Sequence, residues 1–320
     1  MTVATTATTT PTRRRTRPLT AAALNLPDEP RTASPQDSLT AHLRATVDTS
    51  LRVLLKEQAT AGQADEPESV HQMRVAARRA RVALRMDRGG IGPATESLRT
   101  ELAWLGTRLG DVRDLDVLCE RLAGEGADLP ETDLPAFGDV LSQLLANRSA
   151  AAELLVKALD QQRYRSLLRA MAAETTSQAD DGALTNPDKL LVNPVKALHL
   201  QLAAAAQSPS DVAWHELRIK TKRVRYAAEL ASRLATGRRA RALTELAAQA
   251  KALQELLGTF NDTVVTEHHL RRLAATRSSE LSPSALLVVG RLVERQVAKR
   301  EELRELLPEA SSDLYQATNR

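Results

Sequence analysis

The sequence predicts an all-α protein made of two related halves. Three observations carry that expectation. Strong helix formers (Ala, Leu, Arg, Glu, Gln) dominate the 320 residues. No stretch of alternating β-branched residues offers a strand. Two motif blocks recur in the same order. Val70-His71-Gln72-Met73-Arg74-Val75 returns as Trp214-His215-Glu216-Leu217-Arg218-Ile219, an offset of 144, with Arg78-Arg79-Ala80-Arg81 returning as Lys222-Arg223-Val224-Arg225. Leu109-Gly110-Asp111-Val112-Arg113-Asp114 returns as Leu257-Gly258-Thr259-Phe260-Asn261-Asp262, an offset of 148. Such a duplication predicts pseudo-two-fold symmetry, and the repeat is too long and too few in copies for a solenoid.

Residues 1–36 are rich in Thr, Ala, Arg and Pro without apolar periodicity, and are expected to form a disordered tail. Arg13–Arg15 precede only a short, weakly apolar stretch, so no twin-arginine export signal is expected. Apolar spacing then places helices near 37–61, 68–88, 92–109, 111–123, 133–146 and 149–173. Ser177 to Pro194 is rich in Asp, Asn, Gly and Pro and divides the body. Helices resume near 195–206, 210–235, 239–258, 260–276 and 283–306. The domain thus spans 37–308, with halves of about 37–175 and 190–308, and 309–320 is expected to be a tail. Aromatics make up only 2%, so the core must be mostly Leu, Val and Ala. Cys119 is the single cysteine, which excludes an internal disulfide and is expected to pack in a helix. No apolar run of about 18 residues exists, so no membrane span is expected.

The net charge of +4 conceals a segregated distribution. His71, Arg74, Arg78, Arg81 and Arg85 follow helical steps and fall within an arc of about 80°. His215, Arg218, Lys222 and Arg225 repeat the pattern, and Glu229 closes that line with a negative charge. Residues 71–88 hold six arginines and one acid; residues 215–226 hold five basic residues and one acid. Without these two segments and the tail, 28 basic residues face 36 acidic ones. Like charges about 6 Å apart repel by about 1–3 kcal/mol, so each row needs an anion or neighbouring acids to offset it. Arginine suits the first because its fork grips phosphate oxygens and never loses its proton. Ser69 and Asp211 read as N-caps, which would put each histidine near a helix start where anions are favoured.

These residues resemble a known family. The two H-x-x-R segments, each followed by [RK]-R-x-R, are similar to the paired signatures of the CHAD domain, the conserved histidine α-helical domain. Leu109 to Asp116 resembles that family's Arg-Asp-x-Asp segment, and the resemblance spans about residues 37–308. It implies two pseudo-two-fold-related four-helix bundles with a central basic groove or pore. It also implies a binder of inorganic polyphosphate, cytoplasmic and associated with polyphosphate granules. The binding set would be His71, Arg74, Arg78, Arg79, Arg81, Arg85, His215, Arg218, Lys222, Arg223 and Arg225, with Arg108, Arg113 and Lys196 as additional candidates. Some members carry a fused CYTH triphosphate tunnel enzyme. This chain has no room for one, so it reads as a standalone, non-enzymatic protein needing no cofactor.

Other chemistries fit less well. Nucleic-acid binding is the alternative, but seven aromatic residues are too few for a stacking platform. A metal-dependent phosphohydrolase needs clustered carboxylates. Asp111, Asp114 and Asp116 read better as partners that position the stripe arginines, and the adjacent His268 and His269 make a poor chelate as surface histidines. No P-loop, dinucleotide fingerprint or nucleophile elbow occurs.

Overall fold

The structure is a computed structural model that describes residues 17–86, 95–176, 186–277 and 280–319. The described residues are helical and contain no strand. The first half holds α1 (Leu39–Glu57), α2 (Pro67–Met86), α3 (Thr95–Gly126), α4 (Leu134–Leu159) and α5 (Gln162–Thr176). The second holds α6 (Lys189–Gln207), α7 (Asp211–Leu234), α8 (Gly237–Arg277) and α9 (Pro283–Thr318). Among the described residues the first half thus has five α-helices, where apolar spacing placed six and the family resemblance implied a four-helix bundle.

Several expected breaks are absent. The break at Gly110 disappears into the continuous α3, and that just after Gly258 into α8. Both glycines are mid-helix notches beneath an arginine, as shown below. α4 passes Arg148 because that side chain is buried: its Nε meets Asp116 Oδ1 at 2.8 Å, and its Nη atoms donate to the Gly62 and Gln63 carbonyls. α9 runs through Pro308 to Thr318, so 309–318 is helix rather than tail, anchored by buried Leu314. α6 likewise starts before Pro194.

The N-terminal expectation also needs correction for residues 17–36. Leu19 and Leu26 are buried in the first core, and Gln58 Nε2 donates to the Leu19 carbonyl at 2.8 Å. The Arg52 guanidinium donates to the carbonyls of Pro27, Asp28 and Glu29, and Arg31 N–H donates to Asp48 at 2.9 Å. Two isolated leucines carry no periodicity, so the anchoring left no mark in the sequence pattern. Residues 1–16, with Arg13–Arg15, lie outside the described residues.

Each half buries its own apolar face. One core joins α1, α2 and α5 to the start of α3 and the end of α4. Two adjacent cores join α6 and α7 to the start of α8 and the end of α9. The far ends of the long helices meet in a core shared by both halves, with Leu122 of α3, Val140 of α4, Leu270 of α8 and Leu292 of α9. Arg295 seals this junction by donating to the Glu125 and Asp128 carbonyls at 2.9 and 2.7 Å. The long helices thereby bring α2 and α7 within reach of one another. Leu230 of α7 belongs to the first core, and Met86 of α2 packs on the core beneath α7.

Candidate anion-binding site

α2 and α7 are amphipathic in the sense the sequence implied. Met73, Ala77, Ala80 and Leu84 are buried on one side, as are Leu217, Val224 and Ala228 on the other helix. The opposite faces carry the basic rows. α7 is capped by Ser210, whose Oγ accepts from Ala213 N–H at 3.1 Å, so Asp211 is the first helical residue rather than the cap. Ser69 is no cap either. It lies inside α2, which begins at Pro67, and its hydroxyl donates to Glu57 at 3.0 Å. Each histidine is consequently the fifth residue of its helix, just past the turn whose free N–H groups favour anions.

The two rows lie within charge range of one another. Lys222 is pushed down to about 7, first by burial and then by Arg218, Arg78 and Arg74, with Asp262 opposing. Burial also lowers Arg218, which senses Arg78 and Arg74 across the junction. Arg85 is lowered chiefly by Arg223, so a second pair of cations spans the two helices. His71 is lowered by burial first and then by Arg113, with Arg78 and Arg74 adding and Glu68 opposing.

Two matched acids temper the centre. Arg74 Nη1 donates to Asp114 Oδ1 at 2.7 Å. Asp262, the repeat counterpart of Asp114, lies in charge range of Arg218, the counterpart of Arg74. Burial raises Asp262, and Asp114 adds to that, so the two carboxyl groups also sense each other. The glycines make room for these arginines. A Cβ at Gly110 would stand 3.0 Å from Arg74 Nη1, and one at Gly258 would stand 3.9 Å from Arg218 Nε. Gly110→Ala should therefore displace the Arg74 guanidinium and weaken anion binding severalfold. Gly258→Ala should leave binding unchanged and gain stability from its better helix propensity. Titration with an anion and thermal melts of both variants test the asymmetry.

The candidate cations differ in their surroundings. Among the described residues, Arg78, Arg81, Arg85, Arg113, Lys222 and Arg223 make no hydrogen bond or ion pair. Arg225 is engaged by Glu229 at 2.7 Å and by Gln254, so its charge is largely answered. His215 Nδ1 sits 2.8 Å from Asn261 Oδ1, at the position where the first copy sets Arg113 beside His71. Arg79 lines a cavity on another side of α2, away from the row. Arg108 bonds Asp111 at 3.5 Å along its own helix. Lys196 is exposed on α6, and no hydrogen bond or ion pair ties it to α2 or α7 among the described residues. Of the three acids expected to position stripe arginines, only Asp114 does so; Asp116 serves Arg148. Sequence reading gave no site role to Asp262, Arg121 or His269. Arg121 lies in charge range of Asp262, and half-buried His269 lies in charge range of Asp114. The repeat itself pointed to Asp262, as the image of Asp114.

Cys119 is buried, and burial pushes its thiol up, which fits a packing role. A family model for the CHAD domain matches residues 45–271. The chain belongs to the CHAD family. Its fold is similar to the crystal structure of the CHAD domain from the plant Ricinus communis, with a TM-score of 0.70 and 26% identity, covering 89% of this chain and 95% of that one. It is also similar in fold to PptA from Streptomyces chartreusis, with a TM-score of 0.64 and 19% identity over 86% of this chain and 99% of that one. Uncharacterized proteins of two Mycobacterium tuberculosis strains are 29% identical to this CHAD chain over 293 residues, 87% of its length. The chain spans about half of those relatives, 53% of each. No helix among the described residues is long and apolar enough to cross a membrane.

Proposed function

We propose that this CHAD protein binds inorganic polyphosphate along the joined basic faces of α2 and α7, without turning it over, and associates with polyphosphate granules in the cytoplasm. The family resemblance suggests the ligand. One observation carries the reading: cations from both helices crowd together while Arg78, Arg81, Arg85, Lys222 and Arg223 make no ion pair among the described residues. Unanswered charge at that density is costly unless an external anion supplies the counter-charge.

Titration of long-chain polyphosphate at moderate salt tests this directly. Binding should weaken with salt, because neutralised phosphates release counterions. Near-saturating ligand should raise the melting temperature by a few degrees. Absence of binding would sink the proposal. Displacement of polyphosphate by DNA at equal phosphate concentration would favour the nucleic-acid reading, and phosphate release with magnesium or manganese would point to hydrolysis.

A further inference from the structure

A second feature lies on a different side of the basic helices. An open cavity of about 360 Å³ is bounded by residues 31–33, α1, α2 and α7. A recess of about 70 Å³ shares Thr46, Arg79, Glu229 and Arg233 with it and has an apolar floor of Leu43, Ala83 and Leu230. The combined space falls in the range of small-molecule sites, which pair apolar walls with a few placed polar groups.

Its walls are fixed. The buried His42 ring donates or accepts through Nε2 at 2.8 Å from the Ser34 carbonyl; against a carbonyl oxygen that nitrogen carries the proton and donates. The Arg31 guanidinium donates to the Thr175 carbonyl at 2.5 Å. These bonds hold the N-terminal segment as the cavity rim.

Its polar groups are sorted by chemistry. Arg79 comes from α2 and Arg233 from α7, and neither has an ion pair or hydrogen bond among the described residues. Arg79 lies roughly 120° around α2 from the middle of the basic row, by helix geometry. The hydroxyls of Thr46, Thr49 and Ser50 donate to the carbonyls of His42, Ala45 and Thr46 at 2.9, 2.9 and 2.7 Å. With their protons committed, these oxygens can only accept. Glu229 adds a further acceptor.

An occupant must therefore bring an anionic group for the two guanidiniums, O–H or N–H donors for the hydroxyl oxygens, and a compact apolar body for the recess. Inorganic polyphosphate meets only the first demand, and its oxygens would oppose the hydroxyl oxygens. We propose that this cavity is a binding site for a nucleotide, its phosphate held between Arg79 and Arg233 and its sugar and base donors turned toward α1. The inference is independent of the polyphosphate reading.

The test is calorimetric titration of AMP into the whole protein, with inorganic phosphate as the comparison ligand. AMP should bind at least tenfold more tightly than inorganic phosphate. Arg79→Ala/Arg233→Ala should weaken AMP at least tenfold, and Thr49→Trp should do the same by filling the space without touching charge. Arg78→Gln/Lys222→Met, on the basic row, should leave AMP binding intact. The proposal is overturned by no AMP binding, by AMP binding no tighter than phosphate, by binding that survives both cavity changes, or by loss in the basic-row variant. Circular dichroism checks each fold, and Thr49→Trp decides the matter should the arginine variant unfold.

Discussion

Arg78→Gln/Lys222→Met should make the unliganded protein more stable and polyphosphate binding far weaker. Neither side chain makes an ion pair among the described residues, Asp262 only partly offsets the cations around Lys222, and Arg78 Nε is a buried donor with no acceptor. Their removal relieves repulsion while sparing the Arg74–Asp114 pair. Each lost charge-assisted contact to phosphate is worth about 1.5 kcal/mol or more, so the double variant should lose about 100-fold in affinity. The slope of log K against log salt should shrink by about 1.4, taking the single-strand value per phosphate. Opposite signs for stability and affinity are the signature of a binding site. A lower melting temperature with unchanged affinity would show that these cations serve the fold instead.

The second large effect is on pH. Lys222 has an ordinary value of 10.5 and stands at about 7 in the folded protein. Between those values the unfolded chain binds more protons at this position than the folded one, so unfolding free energy rises with pH across that window. Below about 7 the cost of the buried ammonium is fully present. The wild-type melting temperature should therefore climb from pH 7 to 9 relative to Lys222→Met. A bound polyanion favours the charged ammonium, so binding takes up a proton in the same window, and affinity should fall as pH rises from 7 to 9. Lys222→Arg keeps its charge and should flatten that fall. Parallel pH profiles for wild type and Lys222→Arg would remove Lys222 from the binding site.

The helical class and both basic helices were legible because amphipathic spacing is local. The buried faces of α2 and α7 followed from it directly. What escaped notice depends on contacts distant in sequence. Gly110 reads as a break until Arg74, on another helix, is found lying against it. The stretch around Arg148 reads as a gap between helices until Asp116 and the Gly62 carbonyl are found closing around that side chain. Leu19 and Leu26 carry no periodic signal, yet they anchor the N-terminal segment. The site shows the same division. The rows were visible as spacing, whereas the exclusion of Arg79 and the inclusion of Asp262 needed the two halves to be set together.

The core shared by α3, α4, α8 and α9 bears on ancestry. A polypeptide with one copy of the repeat would leave that apolar surface open to water, and pairing with an identical copy would cover it. If the halves descend from such a homodimer, gene fusion removed the dependence of assembly on concentration. It also released each copy to mutate alone. In a homodimer every change appears twice, whereas this chain keeps Arg85 and Arg113 in one copy against Glu229 and Asn261 in the other. The fused protein can thus make its two halves unlike each other, which a symmetric pair of identical subunits cannot.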